Sequence, residues 1–293
     1  MTILITGANG QVGRELTRHA GTQAVALTRQ QLDISRSDAV HAELQRIRPQ
    51  VVINAAAYTA VDKAEKEPDA ATAINRDGPA HLASACRQLH IPLLHISTDY
   101  VFDGKKPTPY LESDPATPVG IYAVSKWEGE QRVRAELSEH IILRVSWVFG
   151  AHGGNFVKTI LRLARERPEL RVVADQKGCP THAGAIAEAL LSLAKRVMQG
   201  ERLPWGTCHY TGTPATTWHG FASGIVEQAA ELGLIAAMPI IHPITTAEYP
   251  LPAPRPANSI LDCTNAVKAL GLTQQDWRQG LREVLTTLKQ QNA

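Results

Sequence analysis

The hydrophobic positions of this 293-residue chain change their period along its length. Through the first half, short continuous apolar runs alternate with stretches whose apolar residues recur at helical spacing. The runs lie at Thr2–Thr6, Ala24–Leu27, Val51–Asn54, Leu93–Ser97 and Ile141–Val145. Between them, Val12–Ala20, Asp38–Ile47, Ala70–Leu89 and Tyr122–Leu137 read as helices. Strands that are apolar at every position, not every second one, are covered on both faces. The pattern therefore predicts an α/β fold with a doubly wound parallel sheet. After about residue 150 the rhythm changes. Pro and Gly gather at Lys177–Pro180 and Tyr249–Pro256, and helical segments dominate: Phe156–Arg167, Ala185–Met198, Trp218–Leu232 and Asp276–Lys289. The expected organisation is a sheet domain over residues 1–150 that carries the chemistry, and a smaller, mostly helical, substrate-binding lobe over 151–293. The chain is free to cross back between the two.

Composition narrows the class. Lys and Arg number 30 against 28 Asp and Glu, a formal charge of +2 without any basic block, so a nucleic-acid partner is not expected. No apolar run is long enough to cross a bilayer. The opening MTILITGANG runs straight into a strand and lacks the basic start and cleavage site of a signal peptide. Cys86, Cys179, Cys208 and Cys263 are far apart and form no CxxC pair, which suits reduced thiols in the cytoplasm and no structural zinc.

The first strand ends in Thr6-Gly-Ala-Asn-Gly-Gln-Val-Gly13, and a helical pattern follows at once. A glycine triplet alone says little; one between a strand and a helix is the fingerprint of a Rossmann-type dinucleotide site. Gly7 permits the tight turn, Gly10 lets the backbone approach a pyrophosphate, and Gly13 lets the helix lie close to the strand. The phosphates would rest on the helix N-terminus, where free N–H groups favour an anion. The second strand ends Ala26-Leu-Thr-Arg29 with no acid before Asp33. A cation there suits the 2′-phosphate of NADPH better than the bare ribose of NADH, although NADH is not barred.

Candidate chemistry sits further on. The fourth strand ends His95-Ile-Ser-Thr-Asp-Tyr-Val-Phe102, and parallel strands present their carboxyl ends to ligands. The next helix places Tyr122 and Lys126 four residues apart, on one face. Reducing a ketone by hydride needs an acid to protonate the growing alkoxide. A free phenol has a pKa of about 10, and a nearby ammonium should bring it toward working pH. Lys126 can also hold the nicotinamide ribose. Thr98 can donate a hydrogen bond to the carbonyl. Asp62, Lys63 and Glu65 read as a solvated helix start, and Trp147 as a core residue at a strand end.

Together the glycine loop, the Thr98 strand end and Tyr122-x-x-x-Lys126 resemble the extended short-chain dehydrogenases/reductases. Asn54-Ala-Ala-Ala-Tyr-Thr-Ala-Val-Asp62-Lys-Ala-Glu, Ser97-Thr-Asp-Tyr-Val-Phe102, Arg144-Val-Ser-Trp-Val-Phe149, Asp175-Gln-Lys-Gly178 and Arg255-Pro-Ala-Asn-Ser259 narrow the resemblance to the dTDP-4-dehydrorhamnose reductase family. It spans nearly the whole chain. It implies that Gly10, Gln11, Val12, Asp33, Ile34, Ala57, Tyr58 and Thr59 touch the cofactor. It also implies that Thr98, Asp99 and Trp147 hold a dTDP-sugar and that Tyr122 is the proton donor. Nucleotide-sugar dehydratases of the superfamily follow Thr-Asp with Glu; this chain has Tyr100, which fits reduction and not dehydration. Some relatives form homodimers around Mg²⁺ with a carboxylate of the first helix. Glu15 stands in that position, but acids near Gly184-Ala185 are missing although Glu188 is close, so no metal is expected. Two alternatives stay open: a reductase of another 4-keto-6-deoxy nucleotide-sugar, and a non-catalytic NADP-binding regulatory subunit.

Overall fold

The computed structural model describes residues 2–291. Its centre is a parallel six-stranded sheet formed by β1 (Ile3–Thr6), β2 (Ala24–Leu27), β3 (Val51–Asn54), β4 (Leu93–Thr98), β5 (His140–Val145) and the later strand Gly206–His209. In space the order runs β2, β1, β3, β4, β5 and then Gly206–His209. Thr6 lies level with Leu27 on one side and Asn54 on the other, so the carboxyl ends of these strands finish together. The winding reverses at β1. Beyond its end a crevice opens, as it does wherever strand order switches in an open α/β sheet.

Every position of β1, β3 and β5 is buried, because helices cover both faces. On one face Leu4, Val52, Leu93 and Ile142 pack with Leu44, Leu82 and Val133 from the helices Ser37–Ile47, Gly78–Leu89 and Ile121–Glu136. On the other, Ile5, Ile53, Leu94 and Leu143 pack with Leu16 of α1 (Gln11–Ala20) and with Ile186, Leu190 and Leu193 of the helix Ala183–Met198. This second helix leads into the sixth strand, so the chain crosses back into the sheet domain well past residue 150. The lobe has its own core around Val157, Ile160, Phe221, Ile225, Trp277 and Leu285. It is not only helical: Glu169–Val173 and Ile240–Ile244 pair in parallel.

The helix expected over Ala70–Leu89 is interrupted by one wide π turn, Ala73–Asp77, a feature that recurs at functional sites. Here it presses backbone against backbone. A Cβ on Gly129 would lie 2.0 Å from the carbonyl oxygen of Asn75, so only glycine lets the two helices meet.

Candidate active site

The crevice at the switch point is a cleft of about 670 Å³, lined by the glycine loop, the β2 end and the loop after β3. Gly7 has φ +73°, and a Cβ there would sit 2.6 Å from the amide nitrogen of Ala56. That is the cradle a pyrophosphate needs. Gly13 lies so close behind the loop that a Cβ would fall 2.1 Å from the Gly7 carbonyl. Gly7, Gly10, Arg29, Asp33, Ile34, Ala57, Tyr58 and Thr59 are brought together as walls of this one cleft. Gln11, Val12 and Gly13 are not among them. The Gln11 side chain accepts a hydrogen bond from Asn155 of the lobe at 3.0 Å, and Val12 is packed in the core. Arg29 is exposed at the cleft lip, with Asp33 paired to it at 3.4 Å. Burial opposes ionisation of Asp33, but hydrogen bonds from Ser35 and the Arg29 charge outweigh it and hold its carboxyl below the usual range.

Asn75 ties this cleft to the helix Ile121–Glu136. Its side chain accepts from the Tyr58 N–H at 2.8 Å, donates to the Tyr58 carbonyl at 3.0 Å and reaches the Ser125 hydroxyl at 3.1 Å. Ser125 in turn donates to the carbonyl of Tyr122. Lys126, one turn on, is buried, and its ammonium donates to the carbonyl of Ile96 at 2.7 Å. Burial lowers the Lys126 pKa to about 8, against the opposing charge of Glu130.

The phenol of Tyr122 is not tuned as its spacing from Lys126 suggests. Desolvation pushes its pKa up to about 12, a hydrogen bond from Thr98 pulls the other way, and the Asp99 charge raises it further. Lys126 spends its proton on Ile96 and does not offset these effects. A phenol so placed stays protonated at neutral pH, which is the state a proton donor needs. The Thr98 hydroxyl lies 3.0 Å from the Asp99 carboxylate and accepts from the Tyr100 N–H at 3.2 Å. Burial raises the Asp99 pKa to about 6, with Ser259 and Thr98 hydrogen bonds opposing.

On the lobe side, Tyr100 meets the Tyr122 ring edge-on at 5.5 Å and opens onto a second cavity of about 480 Å³. Trp147 and Trp218 stack in its wall with ring centroids 3.6 Å apart. Trp147 holds φ +48°, a left-handed backbone rare for a bulky residue, and Gly178 packs flat against its indole. Arg171, Gln176, Arg255 and Ser259 add polar groups. Thr98, Asp99 and Tyr122 line neither cavity: Tyr100 and Ser259 tie them to the second, aromatic and cationic one, and Ser125 and Asn75 tie Tyr122 to the first.

A family model described as the RmlD substrate binding domain matches residues 1–290. A dTDP-4-dehydrorhamnose reductase from Aggregatibacter actinomycetemcomitans is 43% identical over 286 residues, covering 96% of this chain and 97% of its own. The chain belongs to the dTDP-4-dehydrorhamnose reductase family. The crystal structure of a reductase of that name from Clostridium acetobutylicum is 37% identical and superposes with a TM-score of 0.91, covering 99% of this chain and 100% of its own. One from Bacillus anthracis, solved in complex with NADP, is 36% identical, with a TM-score of 0.89 and coverage of 98% and 99%.

The structure places each of the acidic residues that the sequence singles out. Glu15 is buried and held by Arg18 at 2.8 Å; His19 and His152 approach it at 3.7 and 3.9 Å, and Glu188 lies beyond His19. Among the described residues, no group of three or more His, Cys, Asp or Glu gathers to hold a metal. Asp62 and Glu65 are not a merely solvated helix start. Asp62 pairs with Arg255 at 2.7 Å, and Glu65 accepts from the Ile121 N–H at 2.8 Å; only Lys63 stays on the surface, paired with Glu67. Trp218 and Gln176 of the second cavity, bonded to each other at 3.1 Å, were also not legible, since neither belongs to a spacing that signals a ligand.

Proposed function

We propose that this chain uses NADPH to reduce the 4-keto group of dTDP-4-dehydro-6-deoxy-L-mannose, giving dTDP-L-rhamnose, the last step in making that activated sugar. The carrying observation is the Tyr122 hydroxyl beside Thr98 and Asp99, tied to a glycine-loop cleft and to an aromatic cavity with two arginines. NADPH, when bound, supplies the hydride. Gly7 and the α1 N-terminus would hold its pyrophosphate, Arg29 would meet the 2′-phosphate, and Lys126 would supply a positive charge to the nicotinamide ribose. Thr98 and Asp99 hold the sugar, and Tyr122 protonates the oxygen as it becomes an alkoxide. The aromatic wall made by Trp147 and Trp218 suits a pyrimidine, while Arg171 and Arg255 suit its diphosphate. The free, buried thiols at Cys86, Cys179, Cys208 and Cys263 favour a cytoplasmic site of action.

The test is NADPH oxidation with a panel of 4-keto-6-deoxy dTDP-sugars. Turnover should be fastest with dTDP-4-dehydrorhamnose, and Arg29→Ala should lose kcat/KM with NADPH while sparing NADH. A faster stereoisomer would make this a reductase of another 4-keto sugar; NADPH binding without turnover of any would make it a regulatory subunit.

Lys126 gives the pH dependence. With a pKa of about 8, its ammonium is present below that pH and lost above it. The kcat/KM of the free enzyme should therefore fall as pH rises through about 8. In Lys126→Arg, which stays charged, the alkaline limb should disappear from that range. A limb unchanged by this substitution would assign it to another group.

A further inference from the structure

Two sequence motifs left outside the catalytic assignment, around Asp62 and around Arg255, meet in the fold. The cofactor cleft is walled by Ala57–Ala60, and the chain turns at once into the short helix Val61–Ala64. From it, the Asp62 carboxylate accepts from the Ala253 N–H at 3.1 Å and pairs with Arg255 at 2.7 Å. Arg255 also donates to the Ala253 carbonyl at 2.9 Å. Ala253 and Arg255 belong to the proline-rich strap Tyr249–Pro256, much of which lines the second cavity. One turn on, Glu65 accepts from the Ile121 N–H at 2.8 Å, the residue before Tyr122. Gly120, the N-cap, offers no side-chain bond of its own, and its φ of +88° leaves room for this carboxylate; a Cβ there would lie 2.8 Å from the Glu65 Oε1. A carboxylate at a helix start is favoured by the free N–H groups and by the macrodipole.

We propose that Asp62 and Glu65 are positioning residues that brace the two halves of the active site from one segment. Asp62 holds the strap over the sugar-nucleotide cavity, and Glu65 fixes the first turn of the catalytic helix and so the aim of Tyr122. Because the brace continues the cofactor wall, movement of Ala57–Ala60 is transmitted to both. The inference rests on the reading of Tyr122 as proton donor and of the aromatic cavity as the substrate site.

The two residues should split by kinetic parameter. Glu65→Ala should lower kcat about tenfold, since sub-ångström misplacement of an acid is costly, with substrate KM and NADPH affinity little changed. Glu65→Gln, which keeps the acceptor, should restore most of kcat. Asp62→Ala should raise KM roughly 2- to 10-fold and weaken binding of dTDP alone by a similar factor, with kcat unchanged. Melting curves and NADPH titration identify any variant that fails to fold, and Glu65→Gln with Asp62→Asn then carry the comparison. The brace is overturned if Glu65→Ala keeps wild-type kcat, or if both alanine variants move the same parameter. Tyr122→Phe is measured alongside. If that variant still turns over, the donor assignment fails; if it is dead while Glu65→Ala is normal, the brace alone fails.

Discussion

Tyr122→Phe should lower kcat by roughly 10²- to 10⁴-fold while NADPH binds as in the wild type, the range that general acid catalysis typically supplies. The substitution removes one oxygen. The ring keeps its edge-on contact with Tyr100, and the backbone carbonyl still accepts from Ser125. Packing and the tie from helix to cofactor loop through Asn75 therefore survive. What disappears is the group proposed to protonate the sugar oxygen. Desolvation has lifted that phenol to about 12, so it enters each turnover protonated, and an alkoxide is basic enough to take its proton. Thr98→Val should cost less. Its hydroxyl is engaged with Asp99 and with the Tyr100 N–H, and its loss leaves the proton source in place. NADPH fluorescence titration beside steady-state turnover separates binding from chemistry. Normal binding with turnover within a few-fold of wild type would make Tyr122 a packing residue.

The juxtaposition of Tyr122 and Lys126 was legible in the sequence because its geometry is local: four residues on a helix define a face without any knowledge of the fold. The strands β1 to β5 were legible for a similar reason, since a covered sheet leaves runs dominated by Val, Ile and Leu. The sixth strand is Gly-Thr-Cys-His, too polar to register, and it joins the sheet by pairing with β5, with its His209 ring on the Tyr110 carbonyl and its His209 N–H on Glu112. Electrostatics misled where they depended on direction. The spacing of Tyr122 and Lys126 suggested an ammonium aimed at the phenol, but the Ile96 carbonyl captures it. Asp62 and Glu65 looked solvated because their partners lie 191 and 56 residues further along. Glu130 could have been suspected, since it continues the Tyr122 and Lys126 face by one more turn, yet its partner Arg144 comes from a strand that only the fold brings near.

That pair sets the largest stability effect. Glu130 is wholly buried beneath the site and accepts from Arg144 at 2.9 and 2.7 Å, from Arg134 at 2.7 Å and from the Ser97 hydroxyl. Burial would raise its pKa, but these donors prevail and hold it below the ordinary 4.5. Arg144 is as deep, with Phe102 and Trp127 against its guanidinium at 5.1 and 5.7 Å. Glu130→Leu strands that charge in an apolar setting, and removing one member of a buried pair typically costs about 3–5 kcal/mol. Urea unfolding should show a loss of that size. Glu130→Leu with Arg144→Met should recover much of it, because no unpaired charge remains at the centre. Since the folded pKa is depressed, the stabilisation is complete above the unfolded value near 4.5 and is lost as pH falls through the folded one. Glu130→Gln should reach the chemistry too. Its charge is what supports the Lys126 ammonium against burial, so the alkaline limb of kcat/KM should move below pH 8. An unmoved limb in a folded Glu130→Gln enzyme would confine Glu130 to holding strand and helix together.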